Sequence, residues 1–430
     1  MAQTQDKLDR QCRVADRPAM LRRRASQGRR LLGLLGPGLI SGAADIDPTT
    51  VATMAIIGAT TVYALGWLAW LLFPMLALVL VIATRVGGAS HRDLQQCLKD
   101  RYGPIPQWTV LLSILGVNIL TISADAHAGA AALGLLVHHD NFWFVILIVG
   151  VALAMLLWGT TAQVQHVLKY ILLCLLAYLI AAVLARPDWG LVFKGVFAPH
   201  MSLNTNYISG ALAMLGTTIT AYVYVWQTIE VAEEQPSRRL LRYRHVEAAA
   251  AMFIAVVIFW FILVATGATL GVHHEQIGTA EQAAHALAPI AGPYACYVFG
   301  AGLLASALVA LPVLMDTTGH VLAAQLGAPR GLSKPIAQAP IYYAAVSVST
   351  VLAVLISAVG VSPIRLLFVA SIIGGLATPI GLVALMVIGS DARVMGGNAL
   401  RGGLRAAGWA ITGLITLLSI VYLVQQITGG

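Results

Sequence analysis

The sequence is poor in charged residues and in paired cysteines, and each shortage excludes a class of protein. Only 10% of the 430 residues are Asp, Glu, Lys or Arg, while 59% are hydrophobic. A chain of this composition cannot cover its surface with polar groups, which excludes a water-soluble globular protein. The four cysteines stand singly and without CxxC spacing, so neither a disulfide framework nor a zinc site is indicated.

Enzyme motifs are absent as well. The sequence contains no HExxH pair of an intramembrane zinc protease and no GxSxG elbow of a serine hydrolase. No glycine-rich phosphate loop follows a strand pattern, so nucleotide-driven pumping has no site. We therefore expect a protein that is not an enzyme and that holds no resident cofactor.

The sequence does have apolar runs of about 20 residues, each long enough to cross a bilayer as a helix. Eleven spans are predicted, at 31–58, 62–84, 107–135, 142–159, 164–185, 205–232, 246–271, 288–315, 338–358, 362–389 and 406–427. They predict an all-α polytopic membrane protein with 11 transmembrane helices. The transmembrane domain would cover 31–427, preceded by a basic tail at 1–30.

The Lys and Arg residues fall almost entirely on one side of these spans. With the N-terminus in the cytoplasm, all but three of the 26 lie in cytoplasmic segments, the exceptions being Arg186, Lys194 and Arg365. The positive-inside rule therefore predicts a cytoplasmic N-terminus in the cell (inner) membrane. The net charge of +8 follows from this topology and from anionic lipid, so the bilayer is the expected partner and nucleic acid is not.

Span one has two carboxylates and a proline in its middle, at Asp45, Asp47 and Pro48. A charge at that depth costs about 3 kcal/mol even on lenient scales, which indicates a functional site. Pro48 lacks an amide hydrogen and disfavours helix at Asp47, so we predict a helix break here. The acids either cap a half-helix and bond the freed amides, or they hold a cation, and two acids beside a break favour the cation.

Span six has a matching polar and β-branched stretch between Gly216 and Tyr222. Transporters built from inverted repeats place an interrupted helix first in each repeat, so helices 1 and 6 are predicted to be the broken pair. Hard divalent ions prefer oxygen ligands. The carboxylates of the first break, the hydroxyls of Thr50 and Thr217, backbone carbonyls and water would supply them.

Two further acids lie in or near other spans. Asp125 lies inside span three, two residues before His127, and either belongs to a proton or cation path or forms a buried hydrogen bond. Residues i and i+2 do not share a helix face, so direct pairing with His127 is not expected. Asp316 follows the predicted end of span eight and is interpreted as a boundary residue facing cytoplasmic water.

Both breaks resemble those of the NRAMP divalent-metal transporters. Gly36-Pro37-Gly38-Leu39-Ile40 followed by Asp47-Pro48-Thr49-Thr50 is similar to that family's first helix, whose signature reads Asp-Pro-Gly-Asn. The stretch from Gly216 to Tyr222 falls where the family has Met-Pro-His. The implied fold is of the LeuT type, with five-helix inverted repeats at about 31–185 and 205–389 and an extra helix at about 406–427.

The resemblance also implies a ligand set. Asp47 matches the metal-binding aspartate, Thr50 stands in the place of the asparagine ligand, and the carbonyls of Ala44 and Thr217 match main-chain ligands. Thr220 replaces a methionine whose sulfur favours transition metals, and this change should relax discrimination against Mg²⁺. The chain thus looks more like a divergent NRAMP-related branch linked to magnesium and manganese. Asp45 is expected to contribute to the metal site, either as a direct ligand or indirectly.

The same resemblance supports proton coupling less than it supports metal binding. In helix three the family's two acids match Ile122 and Asp125, so one acid is lost. The helix-six histidines match Tyr222 and Gln227, which do not titrate near pH 7 unperturbed. The expected function is alternating-access transport of Mg²⁺- or Mn²⁺-like cations. This transport would not require proton coupling. The alternative is a LeuT-fold carrier of an organic solute or anion with a coupled cation, and the oligomeric state stays open.

Overall fold

A computed structural model describes residues 47–139, 141–158, 179–199, 201–234, 238–273, 277–284, 292–331 and 334–428. Across those ranges the chain is helical and forms no β-strand. The α-helices are α1 (Pro48–Thr61), α2 (Gly66–Ser90), α3 (Leu94–Tyr102), α4 (Pro104–Val137), α5 (Trp143–Trp158), α6 (Trp189–Phe197), α7 (Thr205–Thr218), α8 (Ala221–Glu234), α9 (Arg238–Thr266), α10 (Ala280–Ala284), α11 (Ala295–Gln325), α12 (Pro340–Ser357), α13 (Pro363–Ser390), α14 (Ala392–Met395) and α15 (Gly402–Thr428). A π-helical turn, Gly267–Gly271, extends α9.

Eight helical segments of this part of the chain are long and apolar enough to cross a membrane. They fall on predicted spans two, three and six to eleven, and the shorter apolar helix α5 falls on span four. The tail at 1–30, the start of span one and most of span five lie outside the described residues. An all-α membrane protein is therefore confirmed, while the count of eleven stays a prediction.

The sixth predicted span consists of two helices, α7 and α8, separated by Ile219 and Thr220. The β-branched residues at this point lose side-chain freedom in a helix, which weakens it locally. Ile219 leaves the helical region with φ −102 and ψ 54. The hydroxyl of Thr378 in α13 donates to the Ile219 carbonyl over 3.0 Å, so a neighbouring helix satisfies one of the groups that the interruption releases.

The described part of span one starts at a helix N-terminus. Asp47 is the N-cap of α1 and Pro48 is its first helical residue, where the missing amide hydrogen costs no bond. The Asp47 Oδ1 atom accepts from the amide of Thr50 over 2.6 Å. Ala44 and Asp45 lie outside the described residues.

The helices that carry the candidate residues pack around α13. This helix contacts α1, α4 and α7, and α4 also packs along α11 and α12. Glycines permit the closest approach, because a Cβ at Gly216 would lie 2.1 Å from the Gly375 amide nitrogen and 2.2 Å from the Ser371 carbonyl oxygen. Small residues of this kind let membrane helices meet backbone to backbone. The end of α7 is thus held directly against α13.

Helix α11 ends at Gln325, ten residues beyond the predicted end of span eight at 315. Asp316 therefore lies inside the helix, where it accepts from the Tyr342 hydroxyl of α12 and pairs with His320 one turn along. The interpretation of Asp316 as a boundary residue facing cytoplasmic water stays a prediction, because a helix of 31 residues is longer than a membrane crossing needs. Its side chain is 22% exposed and also contacts a neighbouring helix, a contact that a hydropathy pattern does not reveal.

An ion pair joins α3 to the start of α14. The Arg101 Nε atom donates to the Asp391 Oδ2 atom over 2.6 Å. This hydrogen bond lowers the pKa of the Asp391 carboxyl below its ordinary value. Helix α3 and the start of α14 therefore lie on the same side of the protein.

The contact at Gly216 predicts a large effect from one added methyl group. Gly216→Ala should destabilise the protein by about 1 to 3 kcal/mol, because backbone atoms of α13 must move apart. Gly413→Ala is the matched control, since nothing lies within 4 Å of a Cβ at Gly413 in α15. Thermal unfolding of the two purified variants in detergent measures the difference. Equal melting temperatures would contradict the packing described for α7 and α13.

Candidate metal-binding site

The end of α7 meets the start of α1 through a pair of threonines. The Oγ1 atoms of Thr50 and Thr217 lie 2.8 Å apart and share a hydrogen bond, and both residues are buried. Asp47 is buried beside them at the N-cap of α1. Three residues predicted from the two separate breaks therefore meet at one place.

Helix α4 brings a second acid to the start of α1. The Oδ1 atom of Asp125 accepts from the Thr49 hydroxyl over 2.6 Å, and Asp125 is fully buried. Its other carboxylate oxygen, Oδ2, has no hydrogen-bond partner within the described residues. Both acids bond the first turn of α1, Asp125 at the Thr49 hydroxyl and Asp47 at the Thr50 amide. The two acids thus belong to one buried group on two helices.

Within the described ranges, no basic side chain neutralises these acids. Of the ion pairs between described residues, none includes Asp47 or Asp125. Burying an isolated carboxylate costs several kcal/mol unless a cation, a proton or hydrogen bonds compensate it. The hydrogen bonds to Thr49 and to the Thr50 amide supply only part of that compensation. The arrangement is therefore suited to a positively charged ligand.

The interruption between α7 and α8 adds polar groups to the same region. The hydroxyl of Thr220 is buried and has no hydrogen-bond partner among residues of the described ranges. The last carbonyls of a helix, here including that of Thr217, lack intrahelical partners and carry the negative end of the helix dipole. Both features suit coordination of a cation, directly or through water.

Sequence reasoning missed several polar residues that surround this site. Thr49 bonds Asp125, Thr53 of α1 bonds Ser371 of α13 over 2.7 Å, and Thr378 bonds the Ile219 carbonyl. The run of Gly374, Gly375, Thr378 and Pro379 within one apolar span is a signal that could have identified α13. These residues hold α1 and α7 in place.

The remaining candidates lie in α8, in α4 or outside the described ranges. Tyr222 and Gln227 are half-buried in α8, and Ile122 is buried one turn before Asp125 in α4. Ala44 and Asp45 precede the described part of the chain. The geometry gives positions to the candidate residues but does not test their roles. Two roles therefore stay predictions: metal binding by Asp47, Thr50, Thr217 and Thr220, and a proton or cation path through Asp125.

Comparison with known proteins places this chain among transporters. A profile of the Nramp family, described as natural resistance-associated macrophage protein-like, matches residues 38–425. The chain is 28% identical over 415 residues to the divalent metal cation transporter MntH of Deinococcus radiodurans, covering 94% of this chain and 92% of that protein. It is 27% identical to MntH of Xylella fastidiosa, covering 93% and 86%.

Solved structures are similar in fold. The manganese transporter of Eremococcus coleocola matches with a TM-score of 0.73 at 20% identity, covering 94% of this chain and 88% of that one. MhsT, solved in complex with L-phenylalanine, matches with a TM-score of 0.59 at 11% identity, covering 90% of this chain and 97% of that one. The helical transporter fold expected from the sequence is confirmed at this level.

The profile match spans most of the chain, including every described residue of the candidate site. Nramp proteins are membrane transporters and not enzymes, which confirms the expectation drawn from the missing enzyme motifs. The resemblance seen at Asp47-Pro48-Thr49-Thr50 is confirmed as well. This chain belongs to the Nramp family.

Proposed function

We propose that this protein transports divalent metal cations, with Asp47 as the main charged ligand. The observation that carries the proposal is the pair of buried acids, Asp47 and Asp125, which have no ion pair with a basic side chain in the described ranges. Two negative charges in an apolar interior are matched by one divalent ion. The related MntH proteins are divalent metal cation transporters by name, which supports the same choice.

The ligands favour hard cations such as Mg²⁺ or Mn²⁺. Thr50, Thr217 and Thr220 offer hydroxyl oxygens, and the carbonyls of Ala44 and Thr217 would add main-chain oxygens. A threonine at position 220 gives no thioether sulfur, the ligand that selects softer metals. Because the hydroxyls of Thr50 and Thr217 already bond each other, an ion that keeps some of its water fits this site best. Asp45 would contribute either as a direct ligand or by supporting one.

Transport would proceed by alternating access around this junction. The interruption at Ile219 and Thr220 and the helix start at Pro48 would be the two broken helices of inverted repeats at about 31–185 and 205–389. The helix at about 406–427 would lie outside the repeats. The distribution of Lys and Arg supports a cytoplasmic basic tail at 1–30 as part of the proposal. The bacterial MntH relatives support an inner-membrane location.

Membrane potential would suffice as the driving force. Inside-negative potential contributes about 2.3 kcal/mol per charge per 100 mV, or about 4.6 kcal/mol for a divalent ion. The α8 positions Tyr222 and Gln227 hold no group that titrates near pH 7 unperturbed. We therefore favour uncoupled uptake. The alternative of an organic-solute carrier is not favoured by the family to which the chain belongs.

Replacing Asp47 with Asn should abolish metal binding and leave the fold intact. Asn caps helices as well as Asp, so the bond to the Thr50 amide survives while the charge is lost. Isothermal titration with Mg²⁺ and Mn²⁺ measures the result. Asp93→Asn is the matched control, because Asp93 is a buried N-cap too, on α3, accepting from the Gln96 amide over 2.9 Å. Undiminished heat from Asp47→Asn would contradict the ligand assignment.

Thr220→Met should shift selectivity toward softer metals by adding a thioether at the helix interruption. The measurement is uptake of Cd²⁺ relative to Mg²⁺ in proteoliposomes, and the ratio should rise several-fold. Thr220→Leu controls for side-chain size, since Leu is close to Met in volume and carries no sulfur. A rise of the same extent in both variants would show that shape, and not the sulfur, sets the preference.

Uptake should follow the membrane potential and not the proton gradient. In proteoliposomes, a valinomycin-imposed potassium potential that is negative inside should raise Mn²⁺ uptake. A pH gradient imposed at clamped potential should leave uptake unchanged, and a dye inside the vesicles should report no acidification. Acidification that accompanies Mn²⁺ entry would establish proton coupling, with Asp125 as the first residue to test.

A further inference from the structure

The short helix α6 carries an exposed aromatic stripe. Trp189, Phe193 and Phe197 are 36%, 50% and 81% exposed. They are spaced four residues apart, which places them along one side of the helix. The ring centroids lie 6.1 Å apart between Trp189 and Phe193 and 6.4 Å apart between Phe193 and Phe197. Three large apolar rings therefore stand in a row on the outside of the protein.

Another side of α6 packs against the turn between α1 and α2, and this contact sets the direction of the stripe. Val192 is buried in α6. A Cβ at Gly195 would lie 2.3 Å from the carbonyl oxygen of Tyr63, so the two backbones touch there. Successive residues of a helix are about 100° apart, so Phe193 does not share the side of Val192. The stripe therefore lies beside the protein contact and is free to meet another surface.

An apolar surface of predicted span five leads directly into α6. Ile180, Val183 and Leu184, at the end of that span, are each about half exposed. Apolar side chains on the outside of a membrane span face the lipid acyl chains. Only residues 185–188 separate them from Trp189. The aromatic stripe therefore begins close to the place where the lipid-facing surface of the span ends.

Basic side chains accompany the stripe. Arg186 and Lys194 are both exposed, and they are two of the three basic residues that the predicted topology places outside. Long basic side chains keep their stems on apolar surface while their charges reach the lipid phosphates. An apolar face that contains Trp, bordered by basic residues, is typical of a helix that lies in the plane of the membrane interface. The charges of this segment thus suit a phospholipid surface.

We infer that α6 binds the bilayer surface beside the turn between α1 and α2, with Trp189, Phe193 and Phe197 inserted at the boundary of headgroups and acyl chains. In the proposed topology this surface is the outer leaflet. A second copy of the chain fits the stripe less well, because three aromatic side chains bury about 750 Å² at most, whereas a stable interface buries about 800 Å² per partner. The inference uses none of the residues of the metal site and is independent of the proposed function.

The test measures how fast a charged maleimide labels an introduced cysteine in nanodiscs that hold one copy of the protein in a phospholipid bilayer. Phe193→Cys should react at least about tenfold more slowly than Lys194→Cys, because apolar surroundings suppress the reactive thiolate and one pKa unit corresponds to a factor of ten. Lys194→Cys is the matched control, since Lys194 is the next residue of the same helix and is also exposed. Mass spectrometry of the labelled peptide separates the introduced thiol from the native cysteines.

Phe197→Cys supplies a second position on the stripe and should be protected as Phe193→Cys is. Labelling of both stripe variants as fast as Lys194→Cys would overturn the inference, because it would show that the stripe faces water. A second arm repeats the rates in proteoliposomes of high protein density. Protection found there and lost in the single-copy nanodiscs would identify a second copy as the occupant and would also overturn the inference, whereas lipid binding expects equal protection in both.

Discussion

The structure depends on the burial of two carboxylates that no described basic residue neutralises. Asp47 is the N-cap of α1 and Asp125 lies in α4, where it bonds Thr49 of α1. Burial of both carboxylates at this helix contact is electrostatically unfavourable. In an apolar interior that cost exceeds what the bonds from Thr49 and the Thr50 amide return. The surrounding helices place polar groups around the acids, among them the buried threonines and the interruption between α7 and α8. In the proposed function, a divalent cation supplies the remaining compensation.

The interruptions are supported by side chains of neighbouring helices. Thr378 of α13 bonds the carbonyl of Ile219, while Ser371 of the same helix bonds Thr53 of α1. Non-helical backbone at membrane depth is tolerated where protein surrounds it in this way. The contact of Gly216 with α13 brings these hydroxyls within reach, because any larger residue would separate the two helices. One helix thus stabilises the structure on both sides of the site.

The sequence predicted the components of the site better than their arrangement. Proline after aspartate indicated a helix start at Pro48, and the polar stretch after Gly216 indicated the interruption of span six, because both signals are local. The bond between Thr49 and Asp125 joins residues 76 positions apart, which no local pattern reveals. The bond from Tyr342 to Asp316 likewise joins two helices and was not predicted. Tertiary contacts decided each missed assignment.

The pairing of hydroxyls at the junction bears on the proposed selectivity. Thr50 and Thr217 hold α1 and α7 together by bonding each other, so a fully dehydrated ion would have to break that bond to gain both oxygens. An ion that retains water can instead bond through water to the same hydroxyls and leave the helices joined. Mg²⁺ gives up its water reluctantly, whereas softer ions gain most from direct sulfur contact. The same hydrogen bond that stabilises the helix junction therefore favours a hydrated, hard cation in the proposed cycle.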